Sequence, residues 1–330
     1  MQHQPLGTSS LSISRVVFGA WVTGGWAWGG VDDDASIRAI HHAIDLGITT
    51  FDTAPIYGFG HSEAILGRAL RGKRQQLVIA TKCGLIWDRK QGTPHFTTGW
   101  KGETYSIWRN LTAEILVCDC EQSLKRLGIE TIDLLQCHWP DPSTPLEETL
   151  TALLRLQEQG KIREIGVSNF SGEQLRIAQK SAKIASAQPL YSLLHREIEQ
   201  ELLPTCRELQ LGVMVYSPLE HGLLTGAFDP KRPLTKDDVR RRRDWFKPMN
   251  LPRALLLIEA LRPIAADYQA TVGQLALAWL LAQPGVTAVI VGSRSPEQVA
   301  INAKAADLIL RDETVKTIRR LAETTTLAST

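Results

Sequence analysis

Four ionisable residues stand where they could run proton chemistry on a carbonyl group. Asp52 ends the apolar stretch Thr50-Phe51-Asp52, and Tyr57 follows five residues later in a turn marked by Pro55 and Gly58. Lys82 ends the run Leu77-Val78-Ile79-Ala80-Thr81, and His138 ends Asp133-Leu134-Leu135-Gln136-Cys137. A phenol has an unperturbed pKa of about 10, and a neighbouring ammonium favours the phenolate and lowers it. Lys82 is expected to play that part for Tyr57. Asp52 would supply the counter-charge that keeps the ammonium ionised in a dry site. His138 could donate a hydrogen bond to a carbonyl oxygen or relay the proton. Together the four make an acid facing a polarised carbonyl, the arrangement that hydride transfer requires. Taken singly each has a plainer explanation: a turn-capping Asp, a packed Tyr, a solvated Lys, a satisfied corner His. All four at successive strand ends is the less probable accident.

Such residues meet only if the strand ends share one face. Short apolar runs at Val16–Ala20, Thr49–Thr53, Leu77–Thr81, Ile132–Cys137, Glu164–Ser168, Ala185–Gln188, Val213–Tyr216 and Ala288–Val291 read as eight buried strands. Helical patterns separate them. Asp32-Asp33-Asp34 puts acids at a helix N-terminus, Ile37, Ile40 and Ile44 form a stripe, and Gly47 ends it. Ser62 opens a second helix, and Thr112 to Gly128 bounds a third. Glu147 to Gly160 is a fourth, Ser171-Gly172-Glu173-Gln174 has the form of a capping box, and Thr271 to Gln283 is a strong apolar helix stopped by Pro284-Gly285. Eight strand–helix alternations predict a (β/α)8 TIM barrel, whose sites lie at the C-terminal strand ends. A doubly wound sheet is the rival. Its usual Gly-x-Gly-x-x-Gly turn is missing: Gly58-Phe59-Gly60-His61-Ser62-Glu63 comes nearest and has Glu63 at the third position. Leu6 to Ile13, with Gly7 and Thr8-Ser9-Ser10, predicts a small N-terminal hairpin. One barrel domain over 1–330 is expected, with long loops after Lys82 (to about Asn110) and after Tyr216 (to about Asn250) hanging over the site.

The 330 residues are 43% apolar and 22% charged with a net charge of +2, which gives no reason to expect nucleic acid or a membrane as partner. Met1-Gln2-His3-Gln4-Pro5 lacks the basic-then-apolar pattern of a secretory signal, so the expected location is the cytoplasm. Five cysteines, with Cys118 and Cys120 two apart in a helical pattern, read as free thiols in a reducing compartment and not as disulfides or a metal site. Nine tryptophans are present, and eight of them fall in strand-to-helix connections. Trp26, Trp28 and Trp100 read as loop anchors, whereas Trp21, Trp87, Trp108 and Trp139 read as walls of a substrate pocket. Of Arg240, Arg241, Arg242 and Arg243, most are expected on a solvated lid surface, balanced by Asp237, Asp238 and Asp244. The sharper alternative is a phosphate clamp.

From Leu6 to about Asn302 the chain resembles the aldo-keto reductases. The resemblance is carried by Gly47-Ile48-Thr49-Thr50-Phe51-Asp52-Thr53-Ala54 with Tyr57 and Gly58, by Ala80-Thr81-Lys82, and by Ser123-Leu124-Lys125-Arg126-Leu127-Gly128 with Asp133-Leu134 and His138. It continues through Gly160-Lys161-Ile162-Arg163-Glu164-Ile165-Gly166-Val167-Ser168-Asn169-Phe170. Tyr216-Ser217-Pro218-Leu219 and Gly222-Leu223-Leu224-Thr225-Gly226 are similar to the branch near the potassium-channel β-subunits and the bacterial stress-related reductases.

The resemblance implies that Asp52, Tyr57, Lys82 and His138 form the catalytic tetrad, with Tyr57 as general acid. It also implies NADPH/NADP+ as cofactor, bound extended without a Rossmann domain. Ser168, Asn169 and Gln188 would hold the nicotinamide carboxamide, and Tyr216 would stack on its ring. Ser217, Pro218, Leu219, Gly222 and Leu224 would strap the pyrophosphate. Gly292, Ser293, Arg294, Gln298 and Asn302 would grip the adenosine end. The Ser293-Arg294-Ser295-Pro296-Glu297 turn supports this independently, since an Arg and backbone N–H groups at a helix start suit a phosphate. The expected activity is NADPH-dependent reduction of aldehydes or ketones to alcohols, with a small carbonyl compound as substrate and no obligate protein partner. The alternative is an NADP(H)-binding redox sensor or auxiliary subunit with slow turnover.

Overall fold

The computed structural model describes residues 1–235 and 237–328. All eight expected strands form: β1 (Val16–Gly19), β2 (Thr50–Asp52), β3 (Val78–Cys83), β4 (Ile132–Cys137), β5 (Ile162–Ser168), β6 (Ile184–Gln188), β7 (Gly212–Val215) and β8 (Ala288–Gly292). They pair in parallel, in chain order, and β8 closes onto β1 to make a (β/α)8 barrel. Strands β3, β4 and β6 are buried at every position because one side faces the barrel interior and the other faces helices.

The helices begin where local chemistry lets them. Asp32 accepts from Ala35 N at 3.0 Å and caps Asp33–Asp45. Ser171 with Gln174, and Thr271 with Gln274, form reciprocal capping boxes at the starts of Gly172–Ser181 and Val272–Leu281. The N-terminal hairpin pairs His3–Pro5 with Ser12–Ser14. Its Leu6, Leu11 and Ile13 pack with Val17, Val78, Leu134, Ala185, Met214 and Ala288, so it stoppers the barrel's N-terminal mouth. Chemistry is thereby left to the opposite mouth.

One expected loop is not a loop. After Lys82 the chain builds a three-stranded antiparallel sheet from Leu85–Ile86, Thr93–Trp100 and Glu103–Arg109. Its two-residue turn, Lys101-Gly102, has positive φ at both residues (50° and 86°), the geometry that matches strand twist in a tight hairpin. The segment after Tyr216 is mostly irregular, with short 3-10 turns at Glu220–Thr225, Val239–Arg242 and Asp244–Phe246. Val239 N donates to Ala27 O at 2.9 Å and docks this segment on the loop after β1. Among the described residues no helix is long and apolar enough to cross a membrane.

Candidate active site

The barrel register decides which side chains meet. Asp52 aligns with Gly19 of β1 and Ala80 of β3, and Lys82 aligns with Gln136 of β4. All these positions lie at the C-terminal end. The Lys82 ammonium donates to Asp52 Oδ1 at 2.7 Å and to Thr53 O at 3.0 Å. The pair is buried, Lys82 at 1% exposure and Asp52 at 2%. Burial lowers the Lys82 pKa, and the charge of Asp52 draws it back up.

Tyr57 rides on a turn held at three points: Tyr57 N donates to Ala54 O, Gly60 N to Pro55 O, and Ser62 N to Tyr57 O. Ser62 Oγ then donates to Ala20 O at 2.7 Å and bonds Thr53 Oγ1 at 2.9 Å. The β1 and β2 loops are further locked by contact between Gly24 and the Tyr57–Gly58 backbone. A Cβ on Gly24 would lie 2.5 Å from Tyr57 O, so only glycine fits. Tyr57 meets Lys82 through its ring, with Nζ 5.1 Å from the centroid, and meets His138 edge-on, with centroids 5.9 Å apart. The structure therefore brings Asp52, Tyr57, Lys82 and His138 into one cluster.

The electrostatics differ from the expectation in one respect. Burial, and after it the charge of Asp52, raise the Tyr57 phenol well above its ordinary value. Asp52 at 2.7 Å from the ammonium opposes its field, and the net shift is upward. Burial and the charges of Lys82 and His95 hold His138 well below the usual imidazole range. Tyr57 is thus a protonated phenol and His138 a neutral imidazole.

Above this cluster opens a cavity of about 570 Å³. Its floor carries Ser168, Asn169, Gln188, Tyr216 and Ser217 beside Tyr57 and His138. Tyr216 OH donates to Asn169 Oδ1 at 2.8 Å, and Asn169 Nδ2 donates to His138 O at 2.9 Å. Gln188 Nε2 donates to Asp52 Oδ2 at 2.8 Å and to Gln136 Oε1 at 3.2 Å, while Gln136 Nε2 reaches Asp52 Oδ2 at 3.3 Å. Gln136 escaped the sequence reading, although an amide inside an otherwise apolar strand is a signal. Gly166 makes room for it, since a Cβ there would lie 2.8 Å from Gln136 Cγ.

The aromatic wall differs from the expected set. Trp21 and Trp139 line the cavity, and so do Trp26 and Trp245. Trp87 and Trp108 do not. Trp87 packs edge-on to Phe59 at 5.3 Å, and Trp108 is taken up by the accessory sheet, paired with Ile86 and Pro94. Trp26 is fixed as wall by its Nε1 bond to Thr98 Oγ1 at 3.1 Å and by stacking on Phe96.

The expected cofactor residues divide into groups. Pro218, Leu219, Gly222 and Leu224 lie outside the cavity lining. Leu219 and Leu224 bury their side chains in the core, so only their backbone could touch a ligand. The N–H groups of Gly222 and Leu224 both bond Leu219 O here. The strap is wound through left-handed Ser217, Glu220, His221 and Gly222. Buried Glu220 steadies it, accepting from Ser192 Oγ and lying 2.7 Å from His195 Nδ1. Gly292, Ser293, Arg294 and Gln298 lie at the start of helix Pro296–Ala303, and Asn302 near its end reaches back to Ser293. Asn302 Nδ2 donates to Ser293 Oγ, Gln298 Oε1 accepts from Arg294 N, and Arg294 Nη2 donates to Trp28 O at 2.8 Å. Ser295 caps the same helix, accepting from Gln298 N. Of the arginine run, Arg240 pairs with Asp238 and Arg241 reaches Leu234 O, whereas Arg242 and Arg243 line the cavity.

These groups suit the nicotinamide end of a dinucleotide. His221 carries the clearest sign: both ring nitrogens are buried without a partner among the described residues, and burial lowers its pKa to about 3. A polar ligand along the strap would satisfy them. Amides at Asn169 and Gln188 face the same space as the Tyr216 ring.

The Aldo/keto reductase family matches residues 15–323. An NADH-specific methylglyoxal reductase of Escherichia coli (strain K12) is 39% identical over 329 residues, covering 98% of this chain and 99% of that protein. Aldo-keto reductase YhdN of Bacillus subtilis (strain 168) is 37% identical over 328 residues, covering 98% and 95%. Among solved structures, the glycerol dehydrogenase AKR11B4 from Gluconobacter oxydans superposes with a TM-score of 0.87 at 37% identity, covering 98% of this chain and 95% of that one. The chain belongs to the aldo/keto reductase family of oxidoreductases.

Proposed function

We propose that this protein reduces the carbonyl group of small aldehydes or ketones to alcohols, with NADPH as the hydride source and Tyr57 as the proton donor. The observation that supports it most is the buried Lys82–Asp52 pair beneath the Tyr57 ring, at the floor of an aromatic-walled cavity. A bound dihydronicotinamide supplies hydride to the carbonyl carbon. The chain does the rest. Neutral His138 offers a ring N–H to the carbonyl oxygen, and the Tyr57 O–H gives that oxygen its proton as negative charge develops there. The Lys82 ammonium offsets the charge of the resulting phenolate until solvent reprotonates it. A phenol that stays protonated across the neutral range is the right starting form for reduction. Trp21, Trp26 and Trp139 exclude water from the exchange.

Ser168, Asn169, Gln188 and Tyr216 would hold the nicotinamide in this reading, and the Ser217–Leu224 strap and the Arg294 turn would hold the rest of the cofactor. The choice of NADPH rests on Arg294, whose planar guanidinium suits a 2′-phosphate. The Escherichia coli relative carries NADH-specific in its name, so nucleotide choice needs direct measurement. Steady-state oxidation of NADPH and of NADH with a panel of aldehydes tests both parts. Repeated turnover supports a reductase. A single slow turnover that stops at one equivalent of nucleotide would favour the sensor or auxiliary-subunit alternative.

A further inference from the structure

The accessory sheet brings a second imidazole to the cavity. His95, on the Thr93–Trp100 strand, lines it opposite the strand-end cluster. Its ring lies 4.9 Å from that of Trp139 and 5.0 Å from that of Phe96. Aromatic contacts of this kind fix the plane of a ring without occupying its nitrogens. Burial, and then the charge of Arg109 on the paired strand, lower its pKa to about 4. At neutral pH His95 therefore presents one N–H donor and one bare nitrogen acceptor. It stands near enough to His138 that its protonated form would disfavour charging that ring. Two neutral imidazoles thus share the pocket, one beside Tyr57 and one against Trp139.

We propose that His95 is a specificity-determining residue that hydrogen-bonds a second oxygen of the substrate, so that the preferred substrates carry a hydroxyl or carbonyl beside the reacting carbonyl. This rests on the reading of the Tyr57 cluster as a carbonyl-reducing site. In this reading a small α-oxygenated aldehyde would set its reacting oxygen at Tyr57 and His138 and its other oxygen at His95, all of which line the one cavity. A simple alkyl aldehyde of the same size would press a methyl or methylene against a partly desolvated ring nitrogen and lose that bond. Sites built to bond a substrate hydroxyl discriminate strongly against analogues that lack it, whereas apolar pockets discriminate weakly.

The test compares kcat/KM for glyceraldehyde and propanal in wild type, His95→Phe and His95→Gln. Phe keeps the ring against Trp139 and removes both nitrogens. Gln keeps a donor and an acceptor. Wild type is expected to favour glyceraldehyde by about tenfold or more, and His95→Phe to lose about ten- to a hundredfold on glyceraldehyde with little change on propanal. His95→Gln should recover part of that loss. Equal losses on both aldehydes, or a wild type that treats them alike, overturns the inference and leaves the reductase reading in place. A wild type that turns over neither aldehyde with either nucleotide overturns both.

Discussion

Lys82 lies against the face of Tyr57, 5.1 Å from the ring centroid, while its charge is matched by Asp52 at 2.7 Å. Asp52 at this distance opposes the ammonium's pull on the phenol, and together with burial it leaves the phenol above its ordinary value. The ammonium still offsets the negative charge that develops on the phenolic oxygen as the proton leaves. The alkaline side of the pH–rate profile for reduction should therefore stay flat until near or above the ordinary phenol value of about 10. An alkaline limb well below that value, shifted in Lys82→Arg, would return Lys82 to the role of acidifier.

Tyr57→Phe should abolish aldehyde reduction and leave NADPH affinity near wild type, because the ring that packs beneath Trp21 is kept and only the O–H is lost. Steady-state turnover and a fluorescence titration of NADPH read the two halves separately. Retention of most of kcat would sink Tyr57 as the acid.

Lys82→Met removes the counter-charge of the buried Asp52, which should cost about 3–5 kcal/mol of stability. The double variant Lys82→Met with Asp52→Asn should recover much of this in urea denaturation and remain inactive. Asp52→Asn alone is expected to keep more activity than Lys82→Met. Stability that is unchanged in Lys82→Met would contradict the buried pair.

Arg294→Ala tests nucleotide choice. A charge-assisted bond contributes on the order of 1.5–3 kcal/mol, or roughly one to two decades in affinity. NADPH binding should weaken by about that factor while NADH binding is nearly untouched. Equal losses would mean that Arg294 acts only by holding the Trp28 carbonyl. A wild type that prefers NADH would remove the assignment.

His195 gives a pH test of the strap. Burial pulls this imidazole down, but the hydrogen bond and charge of Glu220 outweigh it and leave the pKa raised. In the unfolded chain the ring titrates near about 6.5. The protonated contact therefore adds its full stability below that pH and loses it as pH rises through the higher folded value. The gap in Tm between wild type and His195→Gln should be wider at acid pH and close toward alkaline pH. A gap that widens instead would show that His195 acts as a neutral ring.

Much of the architecture was legible because parallel strands advertise themselves as apolar runs, and because Asp52, Lys82 and His138 break those runs at their ends. The family motifs extended this to residues such as Asn169 and Tyr216. The accessory sheet was not legible. The exposed strand Thr93–Trp100 mixes polar and apolar residues with no clean alternation, and only the Lys101-Gly102 turn marks it. His95 was missed with it. The part Trp26 plays in the wall depends on Thr98, which its indole N–H meets from 72 positions away. Glu220 and His221 lay inside a recognised motif but mattered through partners at Ser192, His195 and Trp21 that spacing cannot reveal. The raised Tyr57 pKa was hidden for the same reason: residue types name the charges, but only distances say which of them cancel.

The contact of Gly24 with Gly58 has a consequence for anyone who would redesign this pocket. A Cβ on Gly24 would meet the Tyr57 carbonyl, and one on Gly58 would collide with the carbonyl of Gly24. Two segments that are 34 positions apart are thus fused at their backbones. The aromatic wall from Trp21 to Trp26 cannot be grafted, lengthened or shuffled as an independent cassette, because its inner edge is also the seat of the proton donor. Libraries that vary specificity are better aimed at the hairpin bearing His95, which touches the substrate space from the other side and leaves that seat alone.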